Sequence, residues 1–186
     1  MNKVVASEMI SLDGYFAGPD GELDWHYVDD EFNAYATELL DAASVLVFGR
    51  VTYQLMADFW PSDQAQQVDP ETALRMNRLP KVVFSRSMKR AEWAPTEVKS
   101  GDLGAEIDRL RQGAVGNVLV LGSGQILSAL AELGLVDEYR LLVNPIVLGQ
   151  GRPLFSGLKS RLPMKLVRTR PFKSGLMGLF YEPDRT

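Results

Sequence analysis

Residues 117–144, NVLVLGSGQILSALAELGLVDEYRLLVN, decide the fold class. Asn117–Leu121 is a continuous apolar run of strand length that stops at Gly122-Ser123-Gly124. Behind the glycines, Ile126, Leu127, Leu130 and Leu133 mark one face of a helix, and Glu138–Asn144 returns to strand character. A short strand apolar on both faces and followed at once by a helix is the building unit of an α/β sheet.

The same unit recurs upstream. Val4–Ile10 reads as a first strand, ended by the turn formers Ser11-Leu12-Asp13-Gly14. Phe32, Ala36, Leu39, Leu40 and Ala43 form a helical stripe, Ser44–Phe48 a buried strand that stops at Gly49, and Val51–Phe59 a short helix closed by Pro61. Lys81–Phe84 is a third strand after Pro80, and Leu103, Ile107 and Leu110 fit one face of the next helix. This alternation predicts a largely parallel sheet with right-handed crossovers. Beyond residue 137 the pattern changes. Glu138–Asn144, Met164–Thr169 and Leu176–Tyr181 read as strands with no helix between them, which predicts an antiparallel strand pair appended to the parallel sheet. No repeat, linker or low-complexity stretch interrupts the chain, so residues 1–186 are expected to form one mixed α/β domain.

Composition narrows the chemistry. The 186 residues are 46% apolar and 24% charged, enough to bury a core, which excludes global disorder. Lysine and arginine number 20 against 24 acids, a net charge of −4, which lacks the footprint of a nucleic-acid binder. No cysteine is present, so disulfides, thiol catalysis and cysteine-ligated metals are out. His26 is the one histidine, read as a solvated loop residue; no metal is expected. No run reaches the roughly 18 apolar residues of a membrane helix, and MNKVVASEMISLDG does not read as a signal peptide. A cytoplasmic protein is the expectation.

In open α/β sheets, ligands bind at the carboxyl ends of the strands. Those ends carry Gly49-Arg50-Val51-Thr52, Ser85-Arg86 and Gly122-Ser123-Gly124-Gln125, which together would gather glycine backbone, two arginines and three hydroxyls into an anion site. Taken singly, each is equally a turn or an N-cap. No phosphate-loop pattern G-x-x-x-x-G-K-[ST] occurs. Gly122–Leu127 begins like a dinucleotide fingerprint but has leucine where the third glycine belongs, and it lies late in the chain. Asp13 follows the first strand, while Asp20, Glu22, Asp24, Asp29, Asp30 and Glu31 crowd around Trp25. Turn and N-cap roles account for most of these acids. A carboxylate beside Trp25 is alternatively suited to holding a polar heterocycle and easing its protonation.

Five motifs in order carry a family resemblance: Ser11-Leu12-Asp13-Gly14-Tyr15-Phe16-Ala17-Gly18, the Gly49-Arg50-x-Thr52 turn, Lys81–Arg86, Gly122-Ser123-Gly124, and the Pro-x-Val-Leu-Gly-x-Gly-x-Pro-Leu-Phe segment from Pro145 to Phe155. Over nearly the whole chain they resemble the dihydrofolate reductase-like family that includes the C-terminal reductase domain of bifunctional riboflavin-biosynthesis proteins. The resemblance implies an NADPH-binding reductase fold. In it, Gly49, Arg50 and Thr52 would meet the cofactor phosphates, Ser85 and Arg86 the 2′-phosphate end, and Gly122, Ser123, Gly124 and Gln125 the pyrophosphate. Ala6 would border the nicotinamide. Trp25 and Asp30 reproduce the tryptophan-to-acid spacing of dihydrofolate reductases, though Ala34 stands where a phenylalanine is expected. The riboflavin-type proteins favour Asp13 instead. The zinc deaminase often joined to such domains is not expected within these 186 residues, which hold no cysteine to ligate the metal.

The expected activity is hydride transfer from NADPH to a small heterocycle such as a pterin or pyrimidine. Asp30 or Asp13 would orient the acceptor, Trp25 would line the substrate pocket, and the Ala17–Asp24 loop would close over it. The alternative is a non-catalytic nucleotide- or metabolite-binding module on the same fold. A homodimer is expected, with Leu141-Leu142-Val143 as the candidate pairing region.

Overall fold

The computed structural model describes residues 2–185. Its elements are β1 (Val4–Ser11), β2 (Tyr15–Ala17), α1 (Asp30–Asp41), β3 (Ala43–Gly49), α2 (Arg50–Phe59), α3 (Asp63–Val68), α4 (Pro70–Arg78), β4 (Lys81–Phe84), β5 (Thr96–Lys99), α5 (Leu103–Gly113), β6 (Asn117–Val120), α6 (Gly124–Glu132), β7 (Glu138–Asn144), β8 (Arg152–Pro153), β9 (Met164–Pro171) and β10 (Met177–Pro183). Eight strands make one sheet in the order β5-β4-β3-β6-β1-β7-β10-β9, and β2 pairs with β8 apart from it. From β5 to β7 all neighbours are parallel; β10 lies antiparallel to both β7 and β9. This is the mixed, mostly parallel sheet with an antiparallel end that the sequence predicts.

The strands are apolar throughout because both faces of the sheet are covered. Successive side chains point to opposite faces. Val4, Val45, Val47, Val118 and Val120 join one core with Ile107 of α5 and Leu127 and Leu130 of α6. Val5, Leu46, Phe48 and Leu119 join the other with Tyr35 and Leu39 of α1, Tyr53 of α2 and Met76 of α4. Three layers result, with β1 between β6 and β7 at the centre.

Several elements differ from the sequence reading. Ala43 ends the predicted helical stripe but begins β3. α3 and α4 fill residues 63–78, where the apolar signal is sparse: only Ala65 of α3, and Thr72, Ala73 and Met76 of α4, are buried. They are specified by their caps instead. Ser62 accepts from the Ala65 N–H, Asp69 accepts from the Thr72 N–H, and Pro70 opens α4. β5 is a four-residue polar strand at the sheet edge, and β2 and β8 have three and two residues. β7 is paired on both edges, with β1 and β10, so strand pairing through Leu141–Val143 cannot build a dimer. The strands with an outer edge free in the sheet order are β5 and β9, and on β9 Leu166 and Val167 are exposed.

Two buried polar residues fasten the framework. Asn144, fully buried at the end of β7, donates to the Ile10 and Leu142 carbonyls and accepts from the Tyr27 N–H. It thereby ties the loop that follows Trp25 to the sheet. Lys81, 1% exposed at the start of β4, donates its ammonium to the carbonyls of Met76 and Leu79 at 2.8 and 2.7 Å and lies 4.3 Å from the centre of the Trp93 ring.

Candidate functional site

Parallel pairing places the carboxyl ends of β4, β3, β6, β1 and β7 on one edge of the sheet. β3 and β6 are neighbours, yet the helices that follow them leave for opposite faces. α2 packs Tyr53 and Met56 into one core, and α6 packs Leu127 and Leu130 into the other. A crevice at such a reversal is where α/β sheets bind ligands. Here its walls are the two helix N-termini, and the Gly49 N–H donates to the Gly122 carbonyl at 3.0 Å.

The N-caps of both helices, Gly49 for α2 and Ser123 for α6, give no side-chain capping bond. Unpaired N–H groups and the positive ends of two helix dipoles therefore meet at the crevice. The glycines are sterically required. A Cβ on Gly49 would lie 2.5 Å from the Ser123 hydroxyl. Gly122 has φ +87°, and a Cβ there would meet Glu8 Oε1 and Thr52 Oγ1, each at 3.1 Å. The Gly122–Ser123 peptide is cis. Gly124 admits the Phe16 ring against the first turn of α6, since a Cβ would come within 2.6 Å of it. These close approaches form a cradle with no room for a side chain.

The other expected cofactor residues lie at the same sheet edge. Gly49 pairs with Phe84, so Ser85 and Arg86 follow directly beyond it. Ser85 Oγ accepts from the N–H groups of Ser87 and Met88, fixing that turn. Arg86 is exposed and makes no ion pair among the described residues. Arg50 is exposed at the start of α2 and donates to Gln54 at 2.9 Å; Gln125 is exposed on α6. Ala6 is buried in β1, facing Val120 and Tyr139 in register.

Of the expected acids, Asp13 lies just beyond the carboxyl end of β1 and Asp30 opens α1. Asp13 accepts from the Ser11 hydroxyl and from the Leu148 and Gly149 N–H groups. The Ser11 hydrogen bond, with those two backbone donors, holds its carboxyl below the usual carboxylate range. It thus clamps the Pro145–Phe155 segment to the first turn, which explains why those two motifs occur together. Asp30 is exposed on the first turn of α1 and lines a surface hollow with Asn33, Thr37 and the start of α4. Asp29 is the N-cap, accepting from the Phe32 N–H at 2.8 Å. Trp25 donates to the Glu22 carbonyl and stands edge-on to His26. His26 is half-buried, not solvated; desolvation lowers its pKa to about 4, and its Nε2 has no partner among the described residues. Asp13→Ala is expected to speed proteolysis within residues 145–151, and an unchanged cleavage rate would show that the clamp does not hold this segment.

One acid at the crevice escaped the sequence reading. Glu8 lies in β1 with its Oε1 sealed from solvent and, among the described residues, unpartnered beside Gly122 and Thr52. Burial pushes its pKa up to about 8. The available signal was a lone charge inside the apolar run Val4–Ile10.

The fold has known counterparts. Over 179 residues the chain is 28% identical to the uncharacterized protein YyaP of Bacillus subtilis, covering 96% of this chain and 94% of that one. It superposes on the deaminase/5-amino-6-(5-phosphoribosylamino)uracil reductase of Thermotoga maritima with a TM-score of 0.73 at 19% identity, covering 98% of this chain and 57% of that one. With the NADP(H) complex of Enterococcus faecalis dihydrofolate reductase the TM-score is 0.66 at 16% identity, covering 98% and 96% of the two chains. The fold is thus dihydrofolate reductase-like. The family description of the RibD C-terminal domain matches residues 2–177, from the start of β1 into β10, and takes in both glycine turns of the crevice. The chain belongs to the RibD C-terminal domain family.

Proposed function

We propose that the protein is an NADPH-dependent reductase of a small heterocycle, of the pterin or pyrimidine type. The observation that carries this reading is the pair of uncapped helix N-termini meeting at Gly49 and Gly122-Ser123, a cradle suited to a dinucleotide pyrophosphate. The reduced nicotinamide, when bound, supplies a hydride. Gly49, Thr52 and Gly122–Gln125 hold its phosphates, with Arg50 at the rim, and Ser85 and Arg86 receive the 2′-phosphate. Ala6 brings β1 backbone to the nicotinamide side. Positioning and exclusion of water are the protein's share of the work. A solved relative with the deaminase/reductase name, and another bound to NADP(H), support the assignment. Trp25 and the Ala17–Asp24 loop border the substrate side in this reading. In this reading the protein acts in the cytoplasm as a homodimer; of the two edge strands, β5 and β9, the longer β9 with its exposed Leu166 and Val167 is the one suited to pairing.

Nicotinamide fluorescence titrations with NADPH and NADH test the proposal. NADPH is expected to bind more tightly, and Arg86→Ala to weaken NADPH about tenfold with NADH unchanged. Failure to bind either nucleotide sinks the reductase reading.

A further inference from the structure

Glu8 sits two residues beyond Ala6 on β1, and its Oε1 approaches the crevice at the point where Gly122 and Thr52 meet. Its buried oxygen has no hydrogen-bond partner among the described residues. A buried polar atom without a partner is costly, and a sequence retains one where a ligand completes it. We propose that Glu8 is a ligand-contacting residue whose carboxyl donates a hydrogen bond to an acceptor oxygen of a dinucleotide bound across the N-termini of α2 and α6. The dinucleotide identity rests on the reductase reading above.

The surroundings admit this chemistry and little else. From α2, Thr52 presents a hydroxyl, while Arg50 turns to Gln54. From the β6–α6 turn, Gly122 presents backbone; from β7, the register neighbour is Leu141. No charged side chain offsets the desolvation of the carboxyl. With its pKa raised to about 8, Glu8 carries its proton at neutral pH and offers an O–H donor. In that form it adds no negative charge beside a pyrophosphate. Once ionised it repels one, so ligand binding takes up the proton at this residue.

Binding of NADPH to the wild type and to Glu8→Gln, followed by fluorescence from about pH 6.5 to about 9.5, tests the assignment. Glutamine keeps the shape and a hydrogen-bond donor but does not titrate. Wild-type affinity is expected to be level below pH 8 and about tenfold weaker at pH 9 than at pH 7. The variant is expected to match the wild type at pH 7 within about threefold and to stay level above it. Lys81 also titrates near pH 8, far from the crevice, and its contribution is common to both proteins. The carboxyl ¹³C resonance of Glu8, identified by its absence from the variant, is expected to move on adding NADPH. Equal pH profiles in the two proteins, or a resonance that stays in place, overturn the role of Glu8 while leaving the reductase reading intact. No binding of NADPH or NADH by the wild type at any pH overturns that reading, and this assignment with it.

Discussion

Glu8→Gln is expected to stabilise the folded chain at pH 7 by about 3 kcal/mol. The Glu8 carboxyl has a pKa of about 8 in the fold against 4.5 when solvated. Between those values the folded state holds a proton that the unfolded state has released. Stability therefore falls as pH rises from about 4.5 to about 8 and is level above. Glutamine mimics the protonated acid and titrates in neither state, so the penalty disappears. Chemical denaturation should give matching free energies near pH 4.5 and a gap that widens towards pH 8. Parallel curves at all pH values would mean that Glu8 is not buried as described. A gain in stability on removing an acid, paired with a changed ligand response, is the signature of a residue kept for function.

Lys81→Met works in the opposite direction and is expected to cost about 3–5 kcal/mol. The Lys81 ammonium closes the C-terminal end of α4, donating to the carbonyls of Met76, Asn77 and Leu79. Helix ends leave carbonyls that must find donors, and this end is packed under Trp93 and away from water. Methionine fills similar volume but donates nothing, leaving those carbonyls buried and unpaired. Denaturation midpoints give the total, and amide exchange within residues 70–79 locates it. A loss under about 1 kcal/mol would show that water reaches the carbonyls.

The strands that carry the core were legible because each is apolar on both faces and ends at a glycine or polar turn. Lys81–Phe84 and Glu138–Asn144 have the same bounds in sequence and structure. α4 was not legible, since Asp69, Pro70 and the Lys81 ammonium specify it with little apolar periodicity. The cradle was readable in outline from Gly49 and Gly122–Gly124, because only glycine tolerates such approaches. What the sequence could not supply was direction. Asp13 and Asp30 drew attention as loop acids, yet one clamps a neighbouring segment and the other faces the start of α4. Glu8 was hidden inside a strand, where its placement against Gly122 depends on a partner more than a hundred positions away.

The central place of β1 also bears on how the chain is made. β1 leaves the ribosome before the rest of its sheet, but its two sheet neighbours are β6 and β7. The Lys3 N–H, for example, donates to Asn117 across 114 residues. Until synthesis reaches Asn117, the apolar segment VVASEMIS has neither lateral partner, and it lacks the second until Asn144 is made; β3 and β4 can associate without it. The first-made strand therefore waits for partners more than a hundred residues downstream, a route with high loop-closure entropy and a long-lived exposed edge. Nascent chains arrested short of residue 117 are the species most dependent on chaperones.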